Sequence, residues 1–215
     1  SWLESKTLDE KKKFLTELNT YAEIYFNLPD DTELNEIAFE EDEKRFFLII
    51  QNLQITTAYP LIIFIYKNVS DTKARIEMLK LIESYLVRRN VCRLTTKNYN
   101  NLFISILQSL IRSGSITAHS LESILIEFDD VTNEFPSDDE FREGFHRSVL
   151  TNYNVRAILF CIAIYQIDNG LNDISKLNIT NYSVEHIMPK KWEQHWNVPS
   201  YTDEQRFKRF SKLKT

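Results

Sequence analysis

Only three glycines and five prolines punctuate this chain of 215 residues. Those two residue types supply most sharp reversals and helix breaks. With so few of them, long helices joined by a handful of loops are the architecture the chain favours. The fold class this implies is mainly α: a multi-helix bundle with at most one short strand or hairpin near the C-terminus. With 43% hydrophobic residues the chain can bury a real core, as one large domain or two small ones.

Helix starts are legible as caps. Thr7-Leu8-Asp9-Glu10 forms a capping box, and Phe14, Leu15, Leu18, Ala22 and Tyr25 follow at helical spacing, predicting a first helix to about Asn27. Residues 30–43 are acidic and read as a loop, after which Phe46, Phe47, Ile50 and Leu53 mark a second helical face. Pro60 near a first turn makes residues 61–66 better read as a buried helix than a strand, although periodicity alone does not separate the two. Ser70 or Asp71 caps a helix bearing Ile76, Leu79, Ile82 and Leu86. It ends in Arg88-Arg89-Asn90, where two cations complement the helix dipole and can tie down carbonyls or an acidic neighbour.

Tyr99, Leu102, Phe103, Ile106, Leu107 and Leu110 predict another helix, closed by a left-handed Gly114. A shorter one spans about 117–128. Residues 129–139 are acidic, contain a proline and lack periodicity, which makes them the best boundary, with the division near Thr132. Ser137-Asp138-Asp139-Glu140 is a second capping box. Residues 153–168 are almost wholly apolar, a helix expected to be central to its domain and ended by Gly170. A strand is expected over 181–187, and Thr202-Asp203-Glu204-Gln205 caps a final basic helix.

The longest apolar runs, residues 60–66 and 157–165, are too short to span a bilayer, and the first residues carry no secretory signal pattern, so the chain reads as soluble and cytoplasmic. Cys92 and Cys161 lie far apart without C-x-x-C spacing and read as reduced thiols. The formal net charge of -5 is unevenly placed. After Pro189 seven basic side chains face three acidic ones, a balance of +4 that leaves -9 for the remainder. Lys190, Lys191, Arg206, Lys208 and Arg209 in that tail either contact a phosphate backbone or form an ordinary solvated helix.

One motif offers chemistry. In Tyr182-Ser183-Val184-Glu185-His186-Ile187-Met188-Pro189, positions 182, 184 and 186 share a strand face, and the proline stops the pairing. A neutral imidazole can take a proton from water near pH 7, and an adjacent carboxylate can hold a hard cation such as Mg²⁺. Glu-His-x-x-Pro resembles the opening strand of the ββα-metal, or HNH-type, nuclease site, in which such a histidine is the general base. His119 and His146 have no neighbouring ligand set in the sequence. His195, beside Trp196, reads as a surface residue.

Four blocks in order widen the resemblance: residues 82–92 ending in Arg88-Arg89-Asn90-Val91-Cys92, residues 94–98 leading into Leu102-Phe103, Phe135-Pro136 with Phe141, and residues 182–189 with Trp192. Together they resemble the GmrSD-type modification-dependent restriction endonucleases. In that family a ParB-like nucleotide-hydrolysing domain comes first, a helical region follows, and an HNH-type nuclease domain ends the protein. The resemblance implies His186 as general base, Glu185 as a metal-binding or orienting acid, and Mg²⁺ or a similar divalent metal as cofactor. It implies DNA, possibly modified, as substrate, and a partner NTPase domain in the same chain. The setting it implies is phage defence in a bacterial or archaeal cytoplasm.

On this reading residues 1–132 are a helical connector and residues 133–215 the first part of the nuclease domain. The family's ParB-like motif and its later nuclease strand and asparagine are not found in the sequence, so a piece of a longer protein is expected, holding no ordered metal and cutting no DNA by itself. The competing function is a non-catalytic helical connector or interaction module, in which Glu185 and His186 only pack.

Overall fold

The computed structural model describes residues 4–30, 33–34, 36–128, 130–147, 152–167, 176–185, 202 and 204–205. Its helices are α1 (Leu8–Phe26), α2 (Asp42–Asn52), α3 (Tyr59–Asn68), α4 (Thr72–Val91), α5 (Tyr99–Ser113), α6 (Ala118–Ile126), α7 (Asp138–Arg147) and α8 (Asn152–Gln166), with short 3₁₀ turns at Thr56–Ala58 and Ile179–Asn181. The protein is mainly helical. Among the described residues no helix is long and apolar enough to cross a membrane.

Local chemistry sets most of the boundaries. At Thr7 the side chain accepts from Glu10 N at 3.3 Å while Glu10 Oε2 accepts from Thr7 N at 2.8 Å, the reciprocal box that satisfies two otherwise orphaned donors. Ser137 and Glu140 repeat it at the start of α7, at 3.3 and 2.8 Å. Asp71 accepts from Lys73 N, and Thr117 accepts from Ser120 N. Gly114 closes α5 at φ 65°.

Two other left-handed positions are not glycines. Gln54 (φ 56°) and Arg93 (φ 58°) follow α2 and α4. There Ile55 N–H donates to Ile50 O and Leu94 N–H to Arg89 O, closures that span five residues. A chain this poor in glycine accepts the steric cost of a Cβ in that region, roughly 1–2 kcal/mol per residue.

Helix α2 is the enclosed element. Six consecutive residues, Arg45 to Ile50, are buried, because α4 packs on one side and α8 on the other. Complete burial of Phe46, Phe47, Leu48 and Ile50 contributes roughly 1.5–3 kcal/mol each. The sequence had pointed to the strongly apolar α8 as central. Instead α8 buries Ala157, Ile158, Phe160 and Ile164 and leaves Leu159, Ile162 and Tyr165 outward. Around α2 the long helix α4 contacts α3, α6 and α7, and α5 packs against α3 and α6. Helix α1, whose apolar spacing resembled a core face, has no buried residue and touches the body through α3.

Packing is continuous across Thr132. One core joins residues of α2 to α6 with Phe160, Ile164, Leu177 and Ile179. Residues 130–138 are tied to the end of α4 by two arginines. Arg89 has no exposed surface. Its Nη1 donates to Glu134 O at 2.8 Å, its Nη2 to Thr95 O at 2.8 Å and Thr132 O at 2.7 Å, and its Nε to Tyr99 Oη at 3.3 Å. The guanidinium also lies 5.4 and 5.7 Å from the Tyr85 and Tyr99 ring centres. Arg88 donates to Pro136 O at 3.1 Å, pairs with Asp138, and stacks near Phe135 and Phe141. Tyr85 Oη donates to Asn133 O at 2.8 Å. Just beyond, Gly144 of α7 sits where a Cβ would meet Val91 Cγ1 at 3.0 Å and Val91 O at 3.2 Å, which lets α7 lie close against α4.

Replacing Arg89 by Met leaves three carbonyls without their donor in the interior, and the expected loss of unfolding free energy in urea is roughly 3–5 kcal/mol. A loss under about 0.5 kcal/mol, the size of an ordinary surface change, would contradict the clasp. Gln54→Gly is expected to be neutral or stabilising by up to about 1 kcal/mol, whereas the same change inside an exposed helix destabilises by a similar amount. Thermal unfolding of the single variant distinguishes the two.

Candidate functional site

The segment leading to the Glu-His pair is built on the helical body. Lys176 Nζ lies 3.2 and 3.1 Å from the two Glu41 carboxylate oxygens. Next, Leu177 and Ile37 exchange backbone hydrogen bonds, Ile37 N to Leu177 O at 3.0 Å and Leu177 N to Ile37 O at 3.1 Å, a single antiparallel bridge. Leu177 and Ile179 are buried. Asn178 Oδ1 then accepts from Thr180 N and Thr180 Oγ1 at 2.9 and 2.6 Å, folding residues 179–181 into the 3₁₀ turn.

Tyr182 leaves this turn extended, at φ -118° and ψ 137°, with its ring 6.1 Å from Phe160 of α8. Tyr182, Ser183 and Val184 line a small concavity of about 190 Å³ with Arg156, Leu159 and Phe160. Glu185 is exposed, and Ser183 Oγ donates to its Oε1 at 3.4 Å.

The strand expected over 181–187 takes a different form in its described part. The one ladder contact falls earlier, at Leu177, and Asn181 belongs to the turn because the Asn178 side chain competes for the backbone. Residues 182–185 carry no sheet pairing among the described residues. His186 and Lys190, Lys191, Arg206, Lys208 and Arg209 lie outside the described residues. Of the expected basic helix the cap is described: Gln205 N donates to Thr202 Oγ1 at 3.3 Å and Thr202 N to Gln205 Oε1 at 3.1 Å.

Among the described residues no group of three or more His, Cys, Asp and Glu side chains could hold a metal ion. Glu185 contributes one exposed carboxylate beside one hydroxyl, which fits a single contact to a divalent cation and no more. Mg²⁺ keeps several waters and binds weakly through so few protein groups.

A second charged cluster was not legible as a site. A cleft of about 540 Å³ opens between α2, α4, α7 and α8, with Phe39, Phe145, Ile158 and Tyr165 on its walls and Arg45 and Glu83 in its floor. Arg45 Nε and Nη2 donate to the two Glu83 oxygens at 2.9 and 3.3 Å, its Nη1 lies 2.8 Å from Asp42, and it also donates to Phe39 O. Burial lifts the Glu83 carboxyl above its usual range and the guanidinium pulls it back. Burial also pushes the Cys161 thiol on α8 up to about 12 and raises that of Cys92, and both cysteines are free. The Asp42–Arg45 spacing was a visible signal, but its partner Glu83 lies 38 residues away and no local pattern connects the two.

Residues 135–213 match the family model described as GmrSD restriction endonucleases, C-terminal domain. No curated protein and no solved structure matches the chain. The matched stretch begins at Phe135, the residue that stacks against Tyr85 at 5.6 Å, and contains Glu185, His186 and the basic tail.

The Glu41 anchor has a pH signature. Burial works against ionisation of Glu41, but the Ala38 N–H and the Lys44 and Lys176 ammoniums outweigh it and hold its pKa at about 2 against an ordinary 4.5. Because the folded value is depressed, its stabilisation is complete above 4.5 and lost as pH falls towards 2. Glu41→Gln is therefore expected to speed amide hydrogen exchange at Leu177 at neutral pH and to flatten the acid dependence of that exchange. Identical exchange in both proteins would show that the bridge does not depend on this carboxylate.

Proposed function

From a chain whose residues 135–213 carry a GmrSD-type C-terminal domain, we propose that the protein is part of a modification-dependent DNA endonuclease of HNH type, and that the Glu185-His186 segment is the start of its cleavage site. The observation that carries this reading is the family match across that segment. The His186 imidazole accepts a proton from water, the water oxygen attacks phosphorus, and the bond to the leaving sugar oxygen breaks. Glu185 supplies one carboxylate oxygen to a divalent cation such as Mg²⁺, which when bound neutralises charge on the phosphate. Lys190, Lys191, Arg206, Lys208 and Arg209 contact the DNA backbone, so binding weakens as salt rises.

The surroundings of Glu185 support this. It is exposed, at the end of a segment fastened by Leu177 and Ile179 to the body, so a duplex can approach without unfolding anything. Residues 1–132 act as the mount, and the arginine clasp is the feature that favours a connector role for them, coupling the nuclease to a ParB-like NTPase domain of the same protein. Connector and nuclease are then two parts of one machine.

In the full-length protein His186→Ala is expected to lower DNA cleavage by ~10²–10⁴-fold while DNA binding measured without metal is unchanged. Cleavage at the unsubstituted rate would remove His186 from the mechanism.

A further inference from the structure

Helix α1 carries an apolar face that, among the described residues, α3 covers along one edge. At the inner edge Lys67 Nζ of α3 lies 4.0 Å from the centre of the Tyr21 ring, and the Tyr25 ring meets Tyr59 at 5.5 Å. At the outer edge Leu8, Leu15 and Leu18 are 68%, 61% and 52% exposed. A surface helix ordinarily turns such a stripe inward. Scattered exposed leucines are common, but a regular row of them marks an interaction surface.

The spacing identifies the partner. Leu8, Leu15 and Ala22 recur every seven residues, and Lys11, Leu18 and Tyr25 recur every seven, three residues behind, the a and d pattern of a coiled coil. Turned end for end, the two series match each other: position 8 faces 25, 11 faces 22 and 15 faces 18. Leu8 meets Tyr25, Leu15 meets Leu18, and the Lys11 stem crosses the small Ala22. A lysine at one core position costs stability and fixes register.

Charge agrees with the same orientation. Residues 6–13 hold Lys6, Lys11, Lys12 and Lys13 against Asp9 and Glu10, whereas residues 14–26 hold Glu17 and Glu23 and no cation. Antiparallel copies set the basic half on the acidic half, and parallel copies would oppose like halves.

We propose that α1 is a self-association helix that pairs with α1 of a second copy of this chain in an antiparallel seam, in the register 8 to 25, 11 to 22 and 15 to 18. Nineteen residues give about 28 Å of seam at the helical rise per residue. So short a seam makes a weak dimer that dissociates on dilution. The pairing uses side chains that are exposed (Leu8, Leu15, Leu18, Tyr25) or half-buried (Lys11, Ala22) in the single chain and requires no rearrangement of the core.

Analytical ultracentrifugation of the chain over a concentration series is expected to show a mass rising from one chain towards two. The chain carrying Leu15→Glu and Leu18→Glu is expected to stay single at every concentration, with unchanged helical circular dichroism and melting, because neither side chain is buried. Register is read by oxidation: a chain with Lys11→Cys and Ala22→Cys forms covalent dimers faster than the unsubstituted chain, with its Cys92 and Cys161, and faster than a Leu8→Cys chain, which a parallel seam would join to itself and the antiparallel seam holds about 25 Å from its copy. A chain that remains single throughout, or a Leu8→Cys chain that cross-links first, overturns the proposal.

Discussion

A guanidinium with no exposed surface holds this molecule together across its sequence. Arg89 donates to carbonyls at Thr95, Thr132 and Glu134, so one side chain fixes the end of α4, the approach to α5 and the segment that opens the matched domain. Lysine could not substitute, because a point charge on a flexible stem does not reach three carbonyls and a phenol in one plane. Burying a charge is costly unless its donors are met, and here two tyrosine rings and four acceptors meet them. Arg88, one residue earlier, grips Pro136 O and Asp138 at the start of α7.

The clasp brings two of the separated sequence blocks into contact. Arg88-Arg89 and Phe135-Pro136 with Phe141 touch: Tyr85 and Arg88 pack on Phe135, and Arg88 lies 5.1 Å from the Phe141 ring centre. The helical body and the start of the matched domain therefore share one interface, and the C-terminal segment adds a second at Glu41, Ile37 and α8. The second attachment runs from Lys176 as far as Val184 against α8, and the next residue, Glu185, carries its carboxylate exposed.

What the sequence made legible was local. Three capping boxes and the left-handed Gly114 are set by residues within a few positions of one another and are found where the sequence put them; of the two cap candidates before α4 the cap is Asp71, and Thr117, read only as the start of a helix, caps α6. The non-local features were not legible in that way. The apolarity of α8 suggested a central helix, yet its outer residues line a cleft, and α2 is enclosed because two helices distant in sequence flank it. The apolar spacing of α1 announced a face without saying what the face would meet. At the site, the Glu-His motif and its basic surroundings were visible as residue types, while Lys176, Leu177 and their anchors Glu41 and Ile37 lie more than 130 residues apart and carry no shared pattern. Cleft residues Arg45 and Glu83 escaped notice for the same reason.

The central claim is that the helical body and α7 and α8 form one cooperative unit joined through Arg88 and Arg89. Native-state hydrogen exchange across a range of sub-denaturing urea concentrations tests it most directly, since units that open separately show separate free energies and urea dependences. The account predicts that the slowest amides of α2, α4 and α8 merge onto a single global opening. If the α7 and α8 amides instead exchange through an opening of their own, well below that of α4 and independent of it, the two halves are separately folded bodies and the account is wrong.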